Sequence, residues 1–125
     1  MDLQIETTDR DGYTVLSPHG EIDFATGPQL KDAISGRLDA GEVHLVVDLL
    51  DVEFIESTGL GALIGGRRRA LALAGSLSLV CTDAQILKVF RITGLDKVFD
   101  IHGTVDEATA QPAVSAPGWP TPETA

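Results

Sequence analysis

Two stretches of this sequence hold polar groups packed closely enough to do chemistry. Asp51 to Gly61 reads DVEFIESTGLG, and Gly20 to Phe24 reads GEIDF. In the first, Ser57 stands just before Leu60, Leu63 and Ile64 open an apolar stripe of helical spacing. A hydroxyl there has two uses. As an N-cap it accepts a backbone N–H of the first turn, which contributes ~1 kcal/mol. As an acceptor of phosphate it would place the new charge against free backbone donors and the positive end of the helix dipole. Gly59-Leu60-Gly61 has neither the third glycine of a dinucleotide fingerprint nor the lysine of a P-loop. It suits close packing of the helix start, or of a partner, on bare backbone.

The other candidates are plainer. Asp48, Asp51, Glu53 and Glu56 cluster in sequence but have no histidine at ligand spacing, so they read as a solvated acidic rim and no metal or cofactor is implied. His19, His44 and His102 are dispersed and stand beside no nucleophile. Cys81, the only cysteine, ends an apolar strand and reads as a buried small hydrophobe. Phe54, Phe90 and Phe99 are expected in the core, and Phe24 partly exposed beside the acidic segment. In the Arg67-Arg68-Arg69 run, Arg67 shares a side with Leu60, Leu63, Ile64 and Leu71, so its stem should cover apolar surface.

The elements that position these residues follow from periodicity. Leu3–Thr7 and Tyr13–Ser17 alternate as strands around the Asp9-Arg10-Asp11-Gly12 turn, which predicts a hairpin. Gly20–Phe24 is expected as a loop leaving the sheet. Thr26 can cap a helix over Pro28–Asp39, with Pro28 near the first turn, Gln29 three residues on, and Gly41 closing it. Val43–Leu50 is nearly all apolar, as for a strand buried on both faces. Ser57–Ala74 is the longest helical pattern, stopped by Gly75. Ser76–Cys81 is a strand, Asp83–Arg91 a short helix, Val98–Ile101 a last strand and Thr104–Ala110 a last turn or two of helix. Strands alternating with helices imply parallel crossovers, an α/β fold with an antiparallel opening pair. From Gln111 the composition turns rich in proline, including Pro112, Pro117, Pro120 and Pro122, which predicts a disordered tail over residues 111–125. Trp119 lies in that tail.

Composition narrows the function classes. The chain has 125 residues, 43% hydrophobic and 22% charged, which suits one small globular domain. Nineteen acids against nine bases give a net charge of −10, which opposes binding to nucleic acid or anionic lipid. No apolar run reaches the ~18 residues of a membrane span. The polar, acidic start at Met1–Arg10 is unlike a signal peptide, so a cytoplasmic location is expected.

On these residues the chain resembles the STAS family. The ESTGLG run, the GEID segment and the strand before each are similar to those of bacterial anti-sigma factor antagonists of the sporulation and general-stress type. The Ile92–Phe99 stretch, ITGLDKVF, resembles that family's closing helix-to-strand turn, and the likeness covers roughly Leu3 to Ala110. It implies a single STAS domain over residues 1–110, with a mixed sheet of four to five strands and three to four helices. It also implies a partner-switching regulator that is not itself an enzyme. The unphosphorylated form would bind an anti-sigma factor that is also a serine kinase, and release the sigma factor. Phosphorylation would fall on Ser57 and be reversed by a serine phosphatase. The partner face would comprise Glu21, Asp23, Phe24, Glu56, Ser57, Thr58, Gly59, Leu60 and Gly61. The family usually has Asp before the serine; this chain has Glu56, one methylene longer. The alternative is a module that senses a nucleotide or another anion at the helix start.

Overall fold

The computed structural model of the chain describes residues 3–113. β1 (Gln4–Arg10) and β2 (Tyr13–Ile22) form the expected hairpin. Asp11 and Gly12 both have positive φ, 53° and 89°, the geometry of a two-residue turn whose twist matches that of the strands. After α1 (Gly27–Asp39) come β3 (His44–Asp48), β4 (Val52–Ile55), α2 (Ser57–Ala72), β5 (Ser76–Val80), α3 (Ala84–Ile92), a 3-10 turn at Leu95–Lys97, β6 (Ile101–His102) and α4 (Val105–Ala108).

Among the described residues the sheet has six strands in the order β1-β2-β3-β5-β6, with β4 paired to the far end of β2. β1 and β2 are antiparallel; the other pairs are parallel. The mixed α/β architecture is the one the sequence implies. The sixth strand, β4, lies between the Val43–Leu50 and Ser57–Ala74 patterns, where periodicity predicts no element. It forms because β2 does not stop at Ser17 but runs on through Ile22 and offers β4 a partner, the register shifting between Gly20 and Glu21 so that Glu53 is the extra residue on β4. Gly20–Ile22 is therefore strand, not a loop leaving the sheet. The last strand is also shifted: Val98 follows the 3-10 turn, and pairing with β5 begins at Ile101.

Alternation along the central strands builds two cores. Leu16, Leu45, Val47, Leu77 and Leu79 face α1, α2 and α3, where Leu30, Ile34, Leu63, Ile86 and Phe90 meet them. Tyr13, Val15, Val46 and Val80 face the other side, under Ala108 of α4. β3 is thus buried on both faces, as its unbroken apolar run predicts. Ala113 packs on this second cluster and the Tyr13 hydroxyl donates to the Gln111 carbonyl at 3.1 Å, so contacts with the domain continue past residue 110. Residues 114–125, including Trp119, lie outside the described residues.

Gly75 ends the second crossover. A Cβ there would stand 2.0 Å from the Val43 carbonyl oxygen, so only glycine lets α2 turn into β5 against the start of β3. Ala74 before it takes a positive φ of 62°.

Candidate functional site

The pairing of β2 with β4 brings the two chemically rich stretches together. Glu21 lies opposite Phe54 and Ile22 opposite Ile55. The Glu56 N–H donates to the Ile22 carbonyl at 3.0 Å. One residue further on, Asp23 and Glu56 leave neighbouring strand ends, and Ser57 begins α2. Both segments lie beyond the carboxyl ends of parallel strands, the usual place for functional groups in such sheets.

The acidic loop is held by its own side chains. Asp23 Oδ1 accepts the N–H groups of Ala25 and Thr26, each at 2.9 Å. Thr26 Oγ1 donates to the Glu21 carbonyl at 2.7 Å and accepts the Asp23 N–H at 2.9 Å. Chiefly through the Thr26 N–H, these bonds hold the Asp23 carboxyl below its ordinary value. Asp23 is therefore ionised at neutral pH and occupied in shaping the loop. Thr26 does occupy the N-cap position of α1, but its hydroxyl turns back to the loop and caps nothing. Gln29, expected to complete a capping box, instead accepts the Leu3 N–H at 2.7 Å.

Ser57 is the first helical residue and not the cap. The bond to Ile22 keeps Glu56 extended, with φ −122° and ψ −173°, so Glu56 takes the N-cap position. Its side chain accepts none of the first-turn N–H groups. The Ser57 hydroxyl is left exposed beside backbone donors that no cap has claimed.

Glycines set how closely this turn sits. A Cβ on Gly59 would come within 2.5 Å of Ile22 Cγ2 and 2.9 Å of Ile55 Cγ1, so the helix start rests directly on the two strand ends. A Cβ on Gly27 would reach Thr58 Cγ2 at 2.5 Å, which brings α1 onto the same turn. Nothing lies within 4 Å of a Cβ on Gly61, an open patch of helix. Thr58 is half-buried; Gly59 and Leu60 are buried.

Around Ser57 the surface is acidic and aromatic. Glu21 and Glu53 are exposed, and Asp23 and Glu56 half-exposed. Glu21, Asp23, Glu53 and His19 help to line a cavity of about 340 Å³. The His19 ring lies 3.0 Å from Glu6 and 3.4 Å from Asp51, although its Nε2 is not aligned for a hydrogen bond. Phe24 is 80% exposed. Phe54, expected in the core with Phe90 and Phe99, is 46% exposed, whereas Phe90 is fully buried and Phe99 nearly so. Its neighbour Ile55 is buried, and the register shift that skips Glu53 breaks the alternation of β4, leaving Glu53 and Phe54 both exposed.

The remaining acids disperse. Asp48 accepts the Ser17 hydroxyl at 3.2 Å and the Leu50 N–H at 3.0 Å, while Asp51 faces His19. Arg69 pairs with Asp39 at 2.8 Å, and Arg67 lines a groove with Ile64, Leu71, Leu95 and Val98, its stem on apolar surface. Cys81 is buried, which pushes its thiol up, consistent with a packing role. Among the described residues no helix is long and apolar enough to cross a membrane.

Residues 4–108 match the family model of the STAS domain. The chain belongs to the STAS family. Within it, the anti-sigma-B factor antagonist of Listeria monocytogenes is 30% identical over 108 residues, 86% of this chain and 95% of that protein. A crystal structure of an anti-sigma factor antagonist from Mycobacterium paratuberculosis shares the fold with a TM-score of 0.77, at 31% identity, over 86% of this chain and 92% of that one. The Bacillus cell fate determinant SpoIIAA in its phosphorylated form gives 0.66 at 26% identity, over 86% and 96%. The STAS sheet, with its hairpin and crossover helices, is thus the frame on which this acidic loop and helix start are mounted.

Proposed function

We propose that this protein is an anti-sigma factor antagonist that acts by binding rather than catalysis. Unphosphorylated, it engages an anti-sigma factor that is also a serine kinase and thereby frees a sigma factor. Phosphorylation of Ser57 ends the engagement, and a serine phosphatase restores it. The observation that carries this reading is the exposed Ser57 hydroxyl on the first turn of α2, flanked by the acidic loop on the adjoining strand end.

The physics of that position separates folding from binding. Phosphate adds roughly −1.5 to −2 charge at neutral pH. The helix start accommodates it, because first-turn N–H groups are unclaimed and the dipole favours an anion. The interface does not, because Glu21, Asp23, Glu53 and Glu56 already make it negative. An uncompensated buried charge there costs ~2–4 kcal/mol of affinity. Thr58 is the poorer acceptor, half-buried and pressed against Gly27. Glu21, Phe24 and Gly61 offer direct contacts, while Gly59 and Leu60 are buried and act through the seating of the helix.

The test is capture of partners by the full chain from lysate of its own cells, with intact-mass analysis of the bait. Co-purification of an anti-sigma factor with the unphosphorylated bait, and its absence from bait carrying one phosphate on Ser57, is the expected result. If no anti-sigma factor is captured, or capture ignores the phosphate, the proposal fails.

A further inference from the structure

Phe24 and Phe54 both lie at the strand ends beside Ser57, and neither belongs to either hydrophobic core cluster. Phe24 is 80% exposed in the acidic loop and Phe54 46% exposed on β4 opposite Glu21. Large aromatic side chains left in water at a functional face are typical anchors of protein interfaces. Their surroundings state what the other side must be. Glu21, Asp23, Glu53 and Glu56 ring the pair in sequence and register, and among the described residues none of the four is paired with a cation. We infer that Phe24 and Phe54 form the apolar anchor of the antagonist face, and that the anti-sigma partner meets them with an apolar pocket rimmed by Lys or Arg.

This rests on the function proposed above and adds the chemistry of its contact. Charge selects the occupant. A second copy of this chain would set the same carboxylates against one another on a molecule of net charge −10. A partner of opposite sign removes that conflict and is drawn in over a distance.

The experiment titrates the purified anti-sigma factor kinase of the same organism into the full chain by calorimetry. The variants are Phe24→Ser and Phe54→Thr, the second keeping a residue that favours strands. Circular dichroism checks folding, and light scattering checks the oligomeric state. Each variant is expected to keep the wild-type fold and lose at least fivefold in affinity. Wild-type binding is expected to weaken as salt rises from 50 to 300 mM, in the manner of an interface with opposed charges (~8 Å screening at physiological salt). A folded Phe24→Ser that loses less than fivefold overturns the anchor, and so does a folded Phe54→Thr that does. Affinity indifferent to salt overturns the cationic rim. A wild-type dimer that either variant dissociates assigns the pair to self-association and overturns the proposal. If the wild type itself does not bind, the antagonist reading fails first, which separates the two failures.

Discussion

Gly59→Ala and Gly61→Ala introduce the same methyl group two residues apart on α2, and the structure gives them opposite signs. In a helix interior alanine is favoured over glycine by about 0.5–1 kcal/mol. At Gly61 the new Cβ meets nothing within 4 Å, so that gain stands alone. At Gly59 it arrives 2.5 Å from Ile22 Cγ2 and 2.9 Å from Ile55 Cγ1. Both isoleucines are buried, and Cγ2 of a β-branched chain cannot swing aside freely. Overpacking of this kind costs about 1–3 kcal/mol. The net is a loss of up to roughly 2.5 kcal/mol at Gly59 against a gain of up to about 1 kcal/mol at Gly61, so the two variants differ by the overpacking cost of about 1–3 kcal/mol. In a domain of this size 1 kcal/mol moves the melting temperature by roughly 4 °C, so the two variants should separate by several degrees. Thermal unfolding followed by circular dichroism reads this directly. Gly61 also belongs to the proposed partner face, so its variant should be more stable and bind more weakly. Equal shifts in the same direction would show that the helix start is not seated on the strand ends as described.

Ser57→Ala should change stability by less than about 0.5 kcal/mol, because the residue is not a cap, and should bind the anti-sigma factor as wild type does. Ser57→Asp should stay folded but lose about 30-fold to nearly 1000-fold in affinity, measured by calorimetry. The Asp23 carboxyl is held below its ordinary value in the folded state, so its contribution is complete above that value and disappears as pH falls through the folded one. The melting-temperature advantage of wild type over Asp23→Asn should therefore be constant near neutrality and shrink below about pH 4. Tyr13→Phe removes the hydroxyl that donates to Gln111 and should cost about 0.5–1.5 kcal/mol in urea unfolding.

Much of this architecture is legible in the residues. The unbroken run through β3, the alternation of the hairpin and the glycine stops of α1 and α2 each reflect a local force strong enough to decide the element. What escaped depended on contacts between distant segments. β4 is four residues long and lacks clean alternation; it is a strand only because β2 overruns its own apolar pattern to meet it. Phe54 reads as core until that pairing turns it outward. Ser57 reads as a cap because its residue type suits one, yet the Ile22 carbonyl pins Glu56 extended and moves the helix start by one residue. The acidic loop and the helix start were each visible in sequence, and the family resemblance linked them. The register shift that aligns them, with Glu53 as the extra residue on β4, has no signature in the residues.

The bond from Glu56 to Ile22 has a consequence for how such a serine can be read by an enzyme. It joins segments separated by an entire helix and strand, so it exists only after long-range closure of the chain. A peptide cut from residues 51–61 would carry Glu56, Ser57 and both glycines, yet it would lack the loop beside them and be too short to hold a helix in water. On the function proposed for Ser57, its determinant is thus conformational rather than linear. An unfolded or half-synthesised chain does not display it, and a modifying enzyme that requires the assembled surface would mark mature molecules and pass over nascent ones.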